Sequence, residues 1–427
     1  MSKPTRSHWL NAERLRVYPR LVIGVCAVAV LAYALSLHDG LDPRGQALGA
    51  DFVTFYSAST LALAGNGLDA YTVASLSAVE RHLFPAFSLG PYAWFYPPTF
   101  LLLIAPLALL PYLAALALFI GTTAAAWAVT LGRAIGRSGA GWLIAAFPGL
   151  WICIAQGQNG LLTAALAGGS LLLLARQPML SGVLLGLLVI KPQLAVVFAV
   201  ALIATRAWRT ILVAAGTALA FLGVSVAVFG PRSLPAWFES LQLARTATEA
   251  GYLPWHKMPS TFAMLRLVGA SVEWSYIVHG LVSLIALTAV WVVWRRSDSL
   301  RLRGSVLMAA TFIVNPYAFD YDLAWLAFPI AWLACHGLDQ GWRRGDREVL
   351  TAVWLLPVLS TTIAYLTHVQ TGPIVLGAVV WIAVRRVVGH APFSGPDVLS
   401  QRSGPNQRFQ PWPLPPGRRR PGSSARA

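Results

Sequence analysis

Long apolar runs separated by short polar breaks dominate this chain. Reading the breaks gives spans near residues 21–37, 97–131, 141–155, 160–175, 179–190, 193–205, 210–229, 275–294, 304–316, 322–337, 349–366 and 371–384. If each run crosses a bilayer, that makes about twelve transmembrane helices. Several runs are shorter than the ~20 residues a lone span needs, which points to a packed bundle around a water-accessible cavity. The pattern therefore predicts an all-α, polytopic membrane helix bundle over residues 21–388. One stretch resists: residues 92–131 are too long for one straight span, and Pro97, Pro98, Pro106 and Pro111 break it. A kinked helix, or a re-entrant piece followed by a crossing, is expected there.

Composition agrees with the pattern, since 57% hydrophobic and 11% charged residues, with a mean hydropathy of +0.63, exclude an ordinary soluble domain. The three cysteines, Cys26, Cys153 and Cys335, lie inside apolar runs and read as small buried hydrophobes, with no disulfide or metal-ligand spacing. Basic residues precede the first run as in a signal peptide, but no small-residue cleavage site follows closely, so it reads as an uncleaved first helix.

A net charge of +16 suggests nucleic acid until the charges are placed. With a cytoplasmic N-terminus (residues 1–20), one face collects 25 of the 32 basic residues and six of the 16 acidic ones. The balance is +19 on that face and −3 on the other, in keeping with the total. This is the positive-inside pattern, and it predicts both termini in the cytoplasm and no nucleic-acid partner. Two outer loops are long, residues 38–94 and 230–273, and loops of such length in a compact membrane domain are usually functional. Residues 391–427 hold too few apolar side chains to fold and read as a disordered basic tail that membrane lipid can attract.

Unusual polar groups fall on the outer side. Asp51 stands just past the first span, at the start of an aromatic-rich helix with Phe52, Phe55 and Tyr56. A carboxylate there is a candidate general base, and the plainer reading is a helix cap. Gln156-Gly157-Gln158-Asn159-Gly160 joins two spans, Lys191-Pro192-Gln193 joins the next two, and His256-Lys257 lies in the second long loop. Asn315-Pro316-Tyr317-Ala318-Phe319-Asp320-Tyr321-Asp322 joins a later pair. Each has a plain explanation: turn chemistry for Gln158 and Asn159, snorkelling for Lys191, capping for Asp320 or Asp322. Jointly, a lysine and several carboxylates at membrane depth are costly unless they meet in one polar cavity, where they suit a phosphate and a hydroxyl.

These residues resemble a known family. Asp51-Phe52 with Phe55-Tyr56 and Ala62-Leu63-Ala64-Gly65-Asn66-Gly67, ending in Tyr71, is similar to the first outer loop of glycosyltransferase family 87. Tyr96-Pro97-Pro98 with Pro106-Leu107-Ala108-Leu109-Leu110-Pro111 resembles its next signature, and Gly157-Gln158-Asn159 followed by Lys191-Pro192 its middle. The resemblance runs in order over about residues 48–330. It implies a GT-C-like bundle with short helices in the first outer loop, in the plasma (inner) membrane, with the site on the periplasmic or extracytoplasmic face. It also implies a hexosyltransferase that uses a polyprenyl-phosphate sugar and a glycan or glycolipid acceptor, without a cofactor or metal. Characterised relatives are mannosyltransferases with a first-loop Asp as base, a role that carries over to Asp51. Tyr56, Gln158, Asn159, Lys191, His256, Lys257, Asp320 and Asp322 are the expected substrate-binding residues. The mannosyl members have a His-rich element near 315–322, where this chain has Asp320-Tyr321-Asp322. That departure bears on the sugar.

The rival class is a lipid-linked sugar flippase or carrier. It needs polar groups at both mouths of a path, whereas the inner loops here offer mainly topogenic arginines.

Overall fold

The structure, a computed structural model, describes residues 9, 12–37, 41, 45, 47–84, 92–137 and 140–389. The basic tail from 391 lies outside the described residues. Eighteen helices follow one another among the described residues: α1 (Ala12–Leu35), α2 (Phe52–Leu63), α3 (Val73–Leu83), α4 (Pro98–Ile104), α5 (Tyr112–Ile135), α6 (Gly141–Ala145), α7 (Pro148–Gln156), α8 (Gly160–Leu173) and α9 (Pro178–Gly186) form the first half. The second half holds α10 (Val196–Ala204), α11 (Trp208–Phe229), α12 (Ser233–Glu249), α13 (Thr261–Leu267), α14 (Val272–Arg296), α15 (Leu300–Val314), α16 (Ala327–Gln340), α17 (Asp346–Thr367) and α18 (Gly372–Val388). Short 3-10 turns connect several of them. The described residues contain no strand, only an isolated bridge between Leu41 and Ala47. The protein is an all-α membrane protein.

Helix boundaries follow local chemistry. Proline opens α4, α7 and α9, where its missing N–H costs nothing and its fixed φ suits the first turn. Left-handed glycines, Gly136 and Gly157, close α5 and α7. The side chains of Ser260 and Ser271 accept from Ala263 N and Trp274 N, capping α13 and α14.

Among the described residues, five helices are long and apolar enough to cross a membrane: Glu13–Tyr33, Tyr112–Ile135, Trp208–Phe229, Val272–Arg296 and Asp346–Thr367. The shorter apolar runs form broken elements instead, such as Pro178–Ile190 and Pro192–Ala204, which are helices joined through 3-10 turns. Residues 92–131 are resolved by their prolines into two pieces. α4 runs into a 3-10 turn, Ala105–Leu109, the chain extends at Leu110 and Pro111, and the 24-residue α5 follows. The first long loop carries α2 and α3, and the second carries α12 and α13.

Two large cores form. One gathers Phe52, Phe55, Trp94, Phe100 and Phe119 around α2, with ring centroids 5.0–6.0 Å from Phe55 to Trp94, Tyr96, Phe100 and Phe119. Edge-to-face packing of this kind holds α2 by dispersion and quadrupole attraction, which operate in lipid as well as in water. The other core centres on Trp127, Phe198, Phe312, Trp325 and Phe328. Ile190 belongs to the first and Leu194 to the second, so Lys191 lies at their seam.

Candidate active site

Asp51 occupies the N-cap position of α2, yet its side chain makes no capping hydrogen bond. Its Oδ2 instead accepts from Gln158 Nε2 at 2.8 Å, across 107 residues of sequence. A backbone bond from Asp51 N to Gln156 O, 3.0 Å, fastens the same two segments. Gly157 makes this approach possible: its φ is +68°, and a Cβ there would lie 2.6 Å from Phe52 Cβ. Asp51 is thus held by the α7–α8 turn, and its side chain is not spent on capping.

Gln158 Oε1 accepts from Tyr96 OH and from Asn159 N, both at 3.2 Å. Asn159 itself is fully buried, and neither of its amide atoms has a partner. A buried amide left without partners is a costly arrangement that water or a polar substrate group would relieve.

Lys191 does not snorkel. Its Nζ pairs with Asp322 Oδ1 at 2.6 Å, with Lys191 5% and Asp322 0% exposed. The ammonium also lies 4.8 Å from the centre of the Tyr321 ring and 5.9 Å from that of Tyr96. Helix breaks on both sides supply the close approach, since Lys191 separates two 3-10 turns and Asp322 sits in a third, Asp320–Leu326. Asp322 Oδ2 accepts from Phe319 N at 3.4 Å, so local turn chemistry takes its second oxygen.

Asp320 is buried; Tyr321 N donates to its Oδ1 at 2.9 Å, and Gln156 Nε2 approaches that oxygen at 3.5 Å. The Thr361 hydroxyl reaches its Oδ2 at 3.4 Å. Burial raises its carboxyl to about 6 against the pull of the Lys257 charge, Gln156 and the Tyr321 N–H, with the Asp51 charge adding to the rise. Asp51 is partly accessible but surrounded by protein. That desolvation lifts its pKa from the ordinary value, opposed by the Gln158 hydrogen bond and then by the charges of Lys257 and Lys191.

Lys257 is half-buried and its side chain has no ion pair among the described residues. Its field acts on both Asp51 and Asp320. Arg266, another outer cation, is committed elsewhere: it donates to the Ala270 and Glu249 carbonyls and lies over Trp255. Asp51, Gln158, Lys191, Lys257, Asp320 and Asp322 therefore form one interacting group. His256 stands aside, with its ring 5.3 Å from that of Tyr365 and its pKa lowered by burial and the neighbouring Lys257. Tyr56 also stands aside. Its hydroxyl donates to Leu110 O at 2.7 Å and its ring packs on Tyr112.

Sequence reasoning missed two residues of this region. Tyr96 entered only as part of a proline motif, and nothing in its spacing marks its hydroxyl as a partner of Gln158. Glu80 on α3 is buried against α2, taking hydrogen bonds from the Tyr92 backbone and Thr54. Its signal was available, because Leu76, Ser77 and Glu80 share one helical face. Among the described residues, no three His, Cys, Asp or Glu side chains gather as metal ligands.

A profile of glycosyltransferase family 87 matches residues 94–316, which is more than half the chain. The chain belongs to glycosyltransferase family 87. The matched residues include Tyr96, Gln158, Asn159, Lys191, His256 and Lys257; Asp51, Asp320 and Asp322 lie on either side. No curated protein and no solved structure matches. Membership makes the protein a glycosyltransferase, with a sugar donor and an acceptor as its substrates.

Proposed function

We propose that this glycosyltransferase moves a hexose from a polyprenyl-phosphate donor to an acceptor hydroxyl at the outer face of the membrane, with Asp51 as general base. In this reading the short helices pair into about twelve crossings of a GT-C-like bundle. The observation that carries it is the freedom of the Asp51 carboxylate from capping. At a helix start it is instead aimed at a polar group that holds cations and amides.

The acceptor oxygen attacks the anomeric carbon, the bond from that carbon to the phosphate oxygen breaks, and the electron pair leaves with polyprenyl phosphate. The acceptor proton passes to Asp51. Phosphate is already a good leaving group, so no second, acidic carboxyl is required, unlike glycoside hydrolysis with its two carboxyl groups. Lys257, which has no ion pair among the described residues, is the cation best able to meet the phosphate, whereas Lys191 is already neutralised by Asp322. Burial raises the Asp51 pKa above the ordinary carboxylate value, and because only the ionised form takes a proton, transfer is expected to be lost as the pH falls through the Asp51 pKa.

Asp51→Asn tests the assignment. Asn can still accept from Gln158 and occupy an N-cap position, so stability stays close to that of the parent. Transfer in lipid-reconstituted protein is expected to drop by ~10²-fold or more, the usual contribution of a positioned base. Transfer within a few-fold of the parent would remove Asp51 from the chemistry and shift attention to Asp320.

A further inference from the structure

Two donors converge on Gln158 Oε1, and they settle which way its amide points. The Asn159 backbone N–H can only donate, so the Gln158 atom it meets at 3.2 Å must be oxygen. The Tyr96 hydroxyl, also at 3.2 Å, then donates to that same oxygen. With Oε1 held twice, the NH2 group is directed at Asp51 Oδ2, 2.8 Å away. Gln158 is buried, and the backbone bond from Asp51 N to Gln156 O keeps the loop from drifting. Asp51 Oδ1 accepts no hydrogen bond among the described residues.

From this geometry we infer that Gln158 and Tyr96 are positioning residues for the reaction. Tyr96 fixes the Gln158 amide, Gln158 ties down one oxygen of Asp51, and the other oxygen is left to receive the acceptor proton. The inference rests on the reading of Asp51 as general base. It moves Gln158 from contact with substrate to orientation of the base, and it gives Tyr96 a task its sequence context did not suggest.

The physical consequences are specific. A carboxylate that accepts a hydrogen bond is favoured in its ionised form, so removal of the Gln158 NH2 makes Asp51 harder to ionise. Gln158→Leu therefore moves the acid limb of the pH–rate profile to higher pH. Gln158→Glu moves it further, because it sets a second carboxyl against the first and the two titrate as a pair. Tyr96→Phe leaves the Asn159 N–H in place, so it produces the smallest displacement. The order Glu, then Leu, then Phe is the signature of orientation through the amide. A packing role alone would lower the rate evenly at all pH values.

The experiment measures transfer from a polyprenyl-phosphate sugar as a function of pH for the parent, Gln158→Leu, Gln158→Glu and Tyr96→Phe, all reconstituted in lipid, with Asp51→Asn as reference. Thermal unfolding of each variant is recorded alongside. The expected result is an acid limb displaced upward by about one pH unit or more in Gln158→Glu, and by less in the others, in the order given. Should Gln158→Glu fail to fold, the Leu and Phe variants carry the comparison. A strong loss in Asp51→Asn together with unmoved acid limbs in folded Gln158 and Tyr96 variants overturns the positioning role and leaves the base intact. Near-parental transfer in Asp51→Asn overturns the base assignment, and the positioning role falls with it.

Discussion

A lysine in apolar surroundings costs several kcal/mol unless a counter-charge meets it, and Asp322 meets Lys191. The pair is buried on both sides, so removing one partner strands the other. Lys191→Met is expected to lower stability by about 3–5 kcal/mol, seen as a large drop in thermal midpoint. Lys191→Met combined with Asp322→Leu removes both charges and recovers much of that loss. A double variant no more stable than Lys191→Met would show that the pair does not fix this part of the fold. The pairing was not legible in the sequence, because 131 residues separate the partners and a lone lysine between apolar runs fits snorkelling equally well. Asp51 was more legible. Its position beside the first span and its aromatic neighbours marked it, although its partner Gln158 could be found only in three dimensions.

At the scale of elements, α2 is gripped from several sides. The α7–α8 turn holds its start, and α3 lies along it through Leu76 and Glu80. A Cβ on Gly157 would press into Phe52, and one on Gly160 would collide with the Tyr321 carbonyl, so the turn packs tightly between α2 and the Asp320–Leu326 segment. The sequence marked this turn through its glycines and amides, and proline placement marked most helix breaks. What it could not supply was the assembly: turns from four places in the chain meet, and periodicity carries no information on such distant contacts. Glu80 offers a test of the α2–α3 contact. Burial raises its carboxyl to about 7, against hydrogen bonds from Tyr92 N and Thr54 and the charge of Arg81. A raised acid favours the folded protein when protonated. Its contribution is therefore full below the ordinary glutamate value of 4.5 and is lost as pH rises through about 7. Glu80→Gln stays neutral, so its thermal midpoint is expected to exceed that of the parent above about pH 7 and to converge with it in acid. Parallel midpoint–pH curves for the two proteins would show that Glu80 is not buried as a neutral acid.

Across the whole molecule, charge is sorted. Arg137 and Arg301 both pair with Asp339, and Arg385 and Arg386 both pair with Asp346. All of these residues belong to the face that collects +19 in the sequence count. The Asp51 group, by contrast, draws on turns counted to the opposite face, as do Arg245 and Glu249, which pair at 2.7 Å. Contacts thus respect the division that the arginines suggest, since none of these pairs joins one set to the other. The positive-inside rule predicts which set faces the cytoplasm, and the proposed reaction depends on that orientation. Asn66 sits in an exposed turn after α2, on the same side of the count as Asp51, whereas Ser403 belongs to the basic tail. In a background with Cys26, Cys153 and Cys335 replaced by alanine, a membrane-impermeant thiol reagent applied to intact cells is expected to modify a cysteine at 66 and to spare one at 403 until the cells are opened. The reverse pattern would put Asp51, Gln158 and Lys257 on the cytoplasmic side. An outward-facing transfer reaction would then be impossible, and the donor and acceptor would have to be sought within the cell.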